Sequence, residues 1–165
     1  AALGAAGGSS GDPKVLLEGY LDATSGPGGK PQVIWPTPDA LATGAVALGS
    51  SWIQSVLNLC LLGLETQPSC RSVTLQISQD SNLTIVVDTC GAPDRAAVLR
   101  DELLAAVAGR MPPAPSPKTV HAHIAGRLVR AAGGEVGLSV SGNRVSVTAV
   151  FPLAEGTPRS GPSPL

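Results

Sequence analysis

Apolar and polar residues recur along this chain in two rhythms, one helical and one alternating. From about Ser50 to Thr66, Ile53, Val56, Leu57, Cys60, Leu61 and Leu64 return at helical spacing. Ser51, Gln54, Ser55 and Asn58 form a neutral polar stripe opposite them, which predicts an amphipathic helix. Ser72 to Ser78 then switches to period two, with Val73, Leu75 and Ile77 on one side. Asp80-Ser81-Asn82 is a turn, and Leu83 to Val87 returns as the second arm of a hairpin. Gly91 to Asp94 opens a further helix carrying Val98, Leu99, Leu103, Leu104 and Val107, which stops at Gly109. Met111 to Pro117 is a proline-rich loop. Ser116-Pro117 pairs a capping residue with proline at the first helical position. The helix it starts runs to Ala132, with Val120, Ile124 and Leu128 at intervals of four, and Gly133-Gly134 ends it. A last hairpin follows: Val136, Leu138 and Val140 alternate in one arm, and Val145, Val147 and Ala149 in the other.

Upstream the signals are sparser. Asp12-Pro13 repeats the helix-start signature, and Val15, Leu16, Leu17, Tyr20 and Leu21 supply an apolar face until Ser25 to Gly29 breaks it. Gln32 to Trp35 is a short strand, and Pro36 to Ala42 reads as a connection. Residues 1–11 read as a frayed helix end or linker, 12–153 as one domain, and 154–165 as a disordered tail. Hairpins separated by helices predict an α+β two-layer sandwich, a sheet of about five strands with three helices on one face. Leu57, Leu61 and Ile124 are expected to face that sheet.

Composition narrows the function. The chain has 165 residues, enough for one buried core, and a net charge of −1, which argues against a nucleic-acid module. Residues 40–64 carry no charge, but the polar stripe makes this an amphipathic helix and not a membrane span. Tyr20, Trp35, Trp52 and Phe151 are the only aromatic residues, so the core rests on Leu, Val, Ile and Ala. Cys60, Cys70 and Cys90 make no Cys-x-x-Cys pair, and with two histidines a zinc site is not expected. The odd thiol count, with no basic, apolar leader, points to a reducing cytoplasmic setting.

The order of elements carries a resemblance. A helix with Asn58, a hairpin, an intervening segment, the helix end Leu128-Val-Arg-Ala-Ala-Gly-Gly134, and the hairpin end Val145-Ser-Val-Thr-Ala-Val-Phe-Pro-Leu153 resemble the ATP-binding domain of sensor histidine kinases. That likeness implies the GHKL (Bergerat-type) ATPase fold with a mixed sheet. In that family an Asn of the first helix holds magnesium, an Asp-x-Gly-x-Gly turn holds adenine, and further glycines let backbone amides approach phosphate. Aligned from Asn58-Leu59, the magnesium position falls on Leu62. The adenine turn reads Asp88-Thr-Cys-Gly-Ala-Pro93, with Thr89 where the acid belongs. The phosphate-loop glycines fall on Thr119 and His121.

A kinase-like domain eroded in this way resembles the alphaproteobacterial histidine phosphotransferases of the ChpT type. Val15-Leu-Leu-Glu-Gly-Tyr-Leu-Asp22, Val33-Ile-Trp35 and Leu57-Asn-Leu-Cys-Leu-Leu62 fit that family. Its members bear a His-Asp phosphoacceptor motif on an N-terminal helical hairpin, which dimerises as a four-helix bundle. The histidine passes phosphate between receiver aspartates. The resemblance therefore implies receiver domains of response regulators and of a hybrid histidine kinase as partners. It also implies a homodimer formed only through a hairpin that this chain does not contain. No His-Asp pair is present, and residues 1–10 resemble the end of the hairpin's second helix.

On these grounds no catalytic, cofactor-binding or metal-ligating residue is assigned and no cofactor is expected. The expected function is the pseudo-ATPase half of a histidine phosphotransferase that helps dock receivers. The alternatives are a non-catalytic scaffold and a divergent ATP-binding kinase domain. His121 and His123 have no acid beside them in sequence and read as ordinary helix residues, and the outer face of His123, Arg127 and Arg130 reads as solvated in preference to a weak patch for an acidic partner. Asp88 reads as a turn residue at a strand end and Cys60 as a core residue. The neutral stripe at Ser51, Gln54, Ser55 and Asn58 reads as a surface meant to be covered by the hairpin.

Overall fold

The structure, a computed structural model, describes residues 13–24, 29–67, 70–92, 96–97 and 99–153. Along these the chain forms α1 (Pro13–Thr24), β1 (Gln32–Ile34), α2 (Pro38–Leu48), a 3-10 turn (Gly49–Ser51) and α3 (Trp52–Thr66). It continues through β2 (Ser72–Gln79), β3 (Asn82–Cys90), α4 (Asp101–Val107), α5 (Pro117–Ala131), β4 (Glu135–Ser141) and β5 (Arg144–Pro152). The expectations for residues 1–12, 25–28, 93–94, 98 and 154–165 lie outside the described residues.

The five strands form one mixed sheet in the order β1-β2-β3-β5-β4, with β1 parallel to β2 and every other pair antiparallel. Register places Leu75 opposite Val87, and Val87 opposite Val147, so alternate residues share one face. Val73, Leu75, Leu83, Ile85, Val87, Val147, Ala149 and Phe151 are buried in the core there. The opposite face carries Thr74, Gln76, Thr84, Asp88, Ser146 and Thr148. This is the one-sided burial that the alternation predicts.

α3 is the central helix. Nine of its fifteen residues are buried, because it lies against β2, β3 and β5 while α1, α2 and α5 pack on it. Gly63 marks its sheet-facing side: a Cβ there would stand 3.2 Å from Thr89, 3.3 Å from Val87 and 3.7 Å from Val147. Val56, Leu59 and Cys60 share that side by helical spacing and are fully buried. The expectation that Leu57 and Leu61 face the sheet is therefore corrected. Leu57 is buried away from the Gly63 row, and Leu61 is only half-buried. The polar stripe is corrected too: Ser55 is buried inside this domain, Ser51 and Asn58 are half-buried, and only Gln54 is exposed. Asn58 turns its Nδ2 back to donate to the Gln54 carbonyl at 2.8 Å.

The segment read as a connection after Pro36 is helical. Thr37 accepts from the Ala40 amide at 3.2 Å and Pro38 fills the first turn, the same start signature as Ser116-Pro117. Residues 38–66 are long and apolar enough to cross a membrane by length and composition. Here they are broken at Gly49, whose φ is +56°, and α2 folds back so that the Trp52 ring lies on Gly44. The helix expected from Asp94 is shorter and begins at Asp101.

α5 reverses the expected face. Its buried residues are Thr119, Ala122, Ala125, Gly126 and Val129, while Ile124 is 43% exposed and Val120 41%. Small residues are inside because the approach is close: a Cβ on Gly126 would lie 2.2 Å from the Val107 carbonyl oxygen. Arg130 then donates Nη1 to that same oxygen at 2.7 Å, capping the end of α4. At the other end Gly133 takes φ +88° to leave the helix.

Leu59→Ala should lower the unfolding free energy by about 2–5 kcal/mol, whereas Ile124→Ala should change it by less than about 0.5 kcal/mol. Urea unfolding of both variants tests this, and equal losses would return Ile124 to the core.

Candidate functional site

The site lies where the C-terminal half of α3, the end of β3, the β4–β5 turn and the start of α5 come together. Leu62, at the magnesium position of the resemblance, is fully buried and offers no ligand atom. Thr89, at the acid position of the adenine turn, points to the helix side beneath Gly63 and is fully buried. Its hydroxyl donates to Gln67 Oε1 at 3.0 Å.

Gln67 is the C-cap of α3 and links three elements. Its Nε2 donates to the Asn143 carbonyl at 2.9 Å, in the turn between β4 and β5. Asn143 Nδ2 donates to the Gly91 carbonyl at 2.9 Å, and the Gly91 amide donates back to the Asn143 carbonyl at 2.9 Å. A Cβ at Gly91 would press on Gln67 Nε2, so the amide clasp leaves no room for a side chain here. The result is a neutral network in which buried polar atoms satisfy one another.

The α5 end is closed in the same manner. Ser116 and Thr119 form a reciprocal capping box, the Ser116 amide donating to Thr119 Oγ1 at 2.8 Å and the Thr119 amide to Ser116 Oγ at 3.3 Å. His121, one turn further, does have an acidic partner, contrary to expectation. Its Nδ1 lies 2.8 Å from Glu65 Oε2 on α3, with the two side chains 23% and 25% exposed. Donation of a hydrogen bond to the Glu65 carboxylate raises the His121 pKa above its ordinary value, and partial burial opposes that rise. His123, expected to be exposed, is half-buried and its Nδ1 has no hydrogen-bond partner among the described residues.

The remaining candidates lie elsewhere. Asp88 is inside β3 on the outer face of the sheet, not in a turn, and accepts from the hydroxyl of Ser146, its register partner on β5. The Cys90 sulfur and the Asp88 carboxylate hold the Arg144 guanidinium above its ordinary pKa. Burial pushes the Cys60 thiol up to about 12 and Cys70 up to about 11, so both stay protonated and unreactive. Among the described residues no group of three His, Cys, Asp or Glu is placed to hold a metal ion. Sequence reading missed Glu65, Gln67 and Asn143, which gain their roles from partners 22 to 76 residues away.

A family model described as the histidine phosphotransferase C-terminal domain matches residues 12–144. Among solved structures, a bacterial phosphotransferase is 18% identical with a TM-score of 0.58, covering 85% of this chain and 62% of its own. This chain thus spans less than two thirds of that protein. The catalytic domain of the histidine kinase ThkA is 15% identical with a TM-score of 0.57, covering 86% of this chain and 88% of its own. The mycobacterial sensor histidine kinase MprB is 14% identical with a TM-score of 0.53, covering 86% and 91%. At these identities the likeness is one of fold. No curated protein sequence gives a significant match.

A raised histidine pKa sets the sign of one prediction. The stabilisation from Glu65–His121 is fully present below the ordinary value of 6.5 and is lost as pH rises through the raised value. Glu65→Gln should therefore cost about 1 kcal/mol at roughly pH 6 and much less at roughly pH 9. Thermal melts of the parent and variant at the two pH values test it.

Proposed function

Because the chain belongs to the histidine phosphotransferase C-terminal domain family, we propose that it is the pseudo-ATPase half of a phosphotransferase and helps dock response-regulator receiver domains. In this reading the phosphoacceptor histidine sits on a helical hairpin outside this chain, which dimerises as a four-helix bundle. The hairpin's histidine takes phosphate from one receiver aspartate and returns it to another. The domain works in the cytoplasm, where receivers and their kinases meet.

One observation carries the reading: each position that would serve a nucleotide is occupied by a residue already committed to the fold. Leu62 is sealed in the core, and Thr89 is held by Gln67. Thr119 is spent on the α5 cap, and His121 is paired with Glu65. Side chains stand where backbone amides would have to touch phosphate. Admitting ATP would break these bonds and leave buried polar groups unpaired, at roughly 1–3 kcal/mol each.

Calorimetric titration with ATP and magnesium should give no binding in the micromolar range. A micromolar dissociation constant would remove the pseudo-ATPase reading in favour of a divergent kinase domain. Incubated with a phosphorylated receiver domain, the chain alone should stay unlabelled. An acid-labile label on His121 or His123 would place the acceptor here and not on a hairpin.

A further inference from the structure

α5 presents to solvent what an ordinary surface helix hides. Its inward side is built from Thr119, Ala122, Ala125, Gly126 and Val129, and Val120 and Ile124 are left outside, one turn apart. By helical spacing Arg127 continues the same outward row, and it too is exposed. The helix carries Lys118, Arg127 and Arg130 and not one Asp or Glu. The whole chain, by contrast, has 11 basic and 12 acidic residues. Among the described residues Lys118 and Arg127 have no carboxylate partner.

An apolar pair continued by an arginine with no carboxylate partner, on a helix without an acidic residue, is a surface made for contact, and its sign selects the contact's chemistry. The match is a protein patch with an apolar centre and a rim of carboxylates. A receiver domain, which must present acidic groups at its phosphorylatable aspartate, has that character. A lipid surface fits less well, since two aliphatic side chains on a helix packed into a domain give little apolar area to insert. We infer that the outward strip of α5, Val120, Ile124 and Arg127, is where this domain grips a receiver domain. This rests on the receiver-docking reading above and adds the surface that performs it.

The test uses the isotope-labelled chain and purified receiver domains of the response regulators encoded in the same genome, titrated one at a time by NMR. Amide shifts should move along α5, and Ile124→Glu and Arg127→Glu should each weaken the dissociation constant by about tenfold or more. Added salt should weaken the parent more steeply than Arg127→Glu. Val46→Glu is the control, because Val46 on α2 is 85% exposed and lies outside the strip. Circular dichroism confirms that the variants are folded. Receiver binding with shifts on the outer face of the sheet, or unchanged in both α5 variants, would overturn this inference and leave the docking reading standing. No binding of any receiver by the parent would overturn both. A parent dimer that Ile124→Glu dissolves, or anionic vesicles that only the parent binds, would assign the strip to a second copy or to a lipid surface and would also overturn it.

Discussion

Burial of α3 is the constraint on which the rest of the domain depends. Its sequence is uncharged from Trp52 to Leu64, and it is enclosed by the sheet, α1, α2 and α5. Each large aliphatic side chain buried there is worth about 1.5–3 kcal/mol, and an unpaired charge at the same place would cost more than it could return. Contact with the sheet is close enough at Gly63 to leave little room for a side chain. The strands β2, β3 and β5, which line this helix, alternate cleanly for the same reason. The short β1 and α2 serve to return the chain to α3, with Trp52 folded onto Gly44 at the joint.

The same economy shapes the site. A nucleotide-binding cleft needs donors left unsatisfied until the ligand arrives and backbone exposed where phosphate comes near. At this site Thr89, Gln67, Asn143 and His121 have partners within the protein, while Glu65 Oε1 and His123 Nδ1 have none among the described residues. Gln67 bridges Thr89 and Asn143, Asn143 closes on Gly91, and Glu65 on His121 ties α3 to α5. Such a network rigidifies the meeting point of helices and sheet.

α5 shows how an interior demand shapes an outer surface. Close approach to Val107 leaves no room for a side chain at Gly126, and Ala122 and Ala125 share its inner row with Thr119 and Val129. With those positions taken by Ala, Gly and Thr, the helix's larger apolar residues stand on the outer row beside Arg127. The interior thus fixes the inner row but not the outer one, which makes the exposed Val120 and Ile124 the feature most in need of a functional reason.

How far the sequence reaches can be traced residue by residue. Period-two runs at Val73–Ile77 and Val145–Ala149 identified strands and their buried face, because alternation is a property of the backbone itself. Ser116-Pro117 and Gly133-Gly134 marked the ends of α5 for the same local reason. The helix at 38–48 escaped because its Ala-rich row has little periodic contrast, although Thr37-Pro38 carried the start signal. Tertiary structure alone decided which side of α5 faces inward: helical spacing defines a stripe, but the size of the gap beside Val107 chooses which stripe fills it. It alone brought Glu65 to His121 and Gln67 to Asn143, since those contacts close loops of 56 and 76 residues and depend on where the sheet and helices meet. Local rhythm is written in neighbouring residues, whereas the site is made by distances that only the packed core sets.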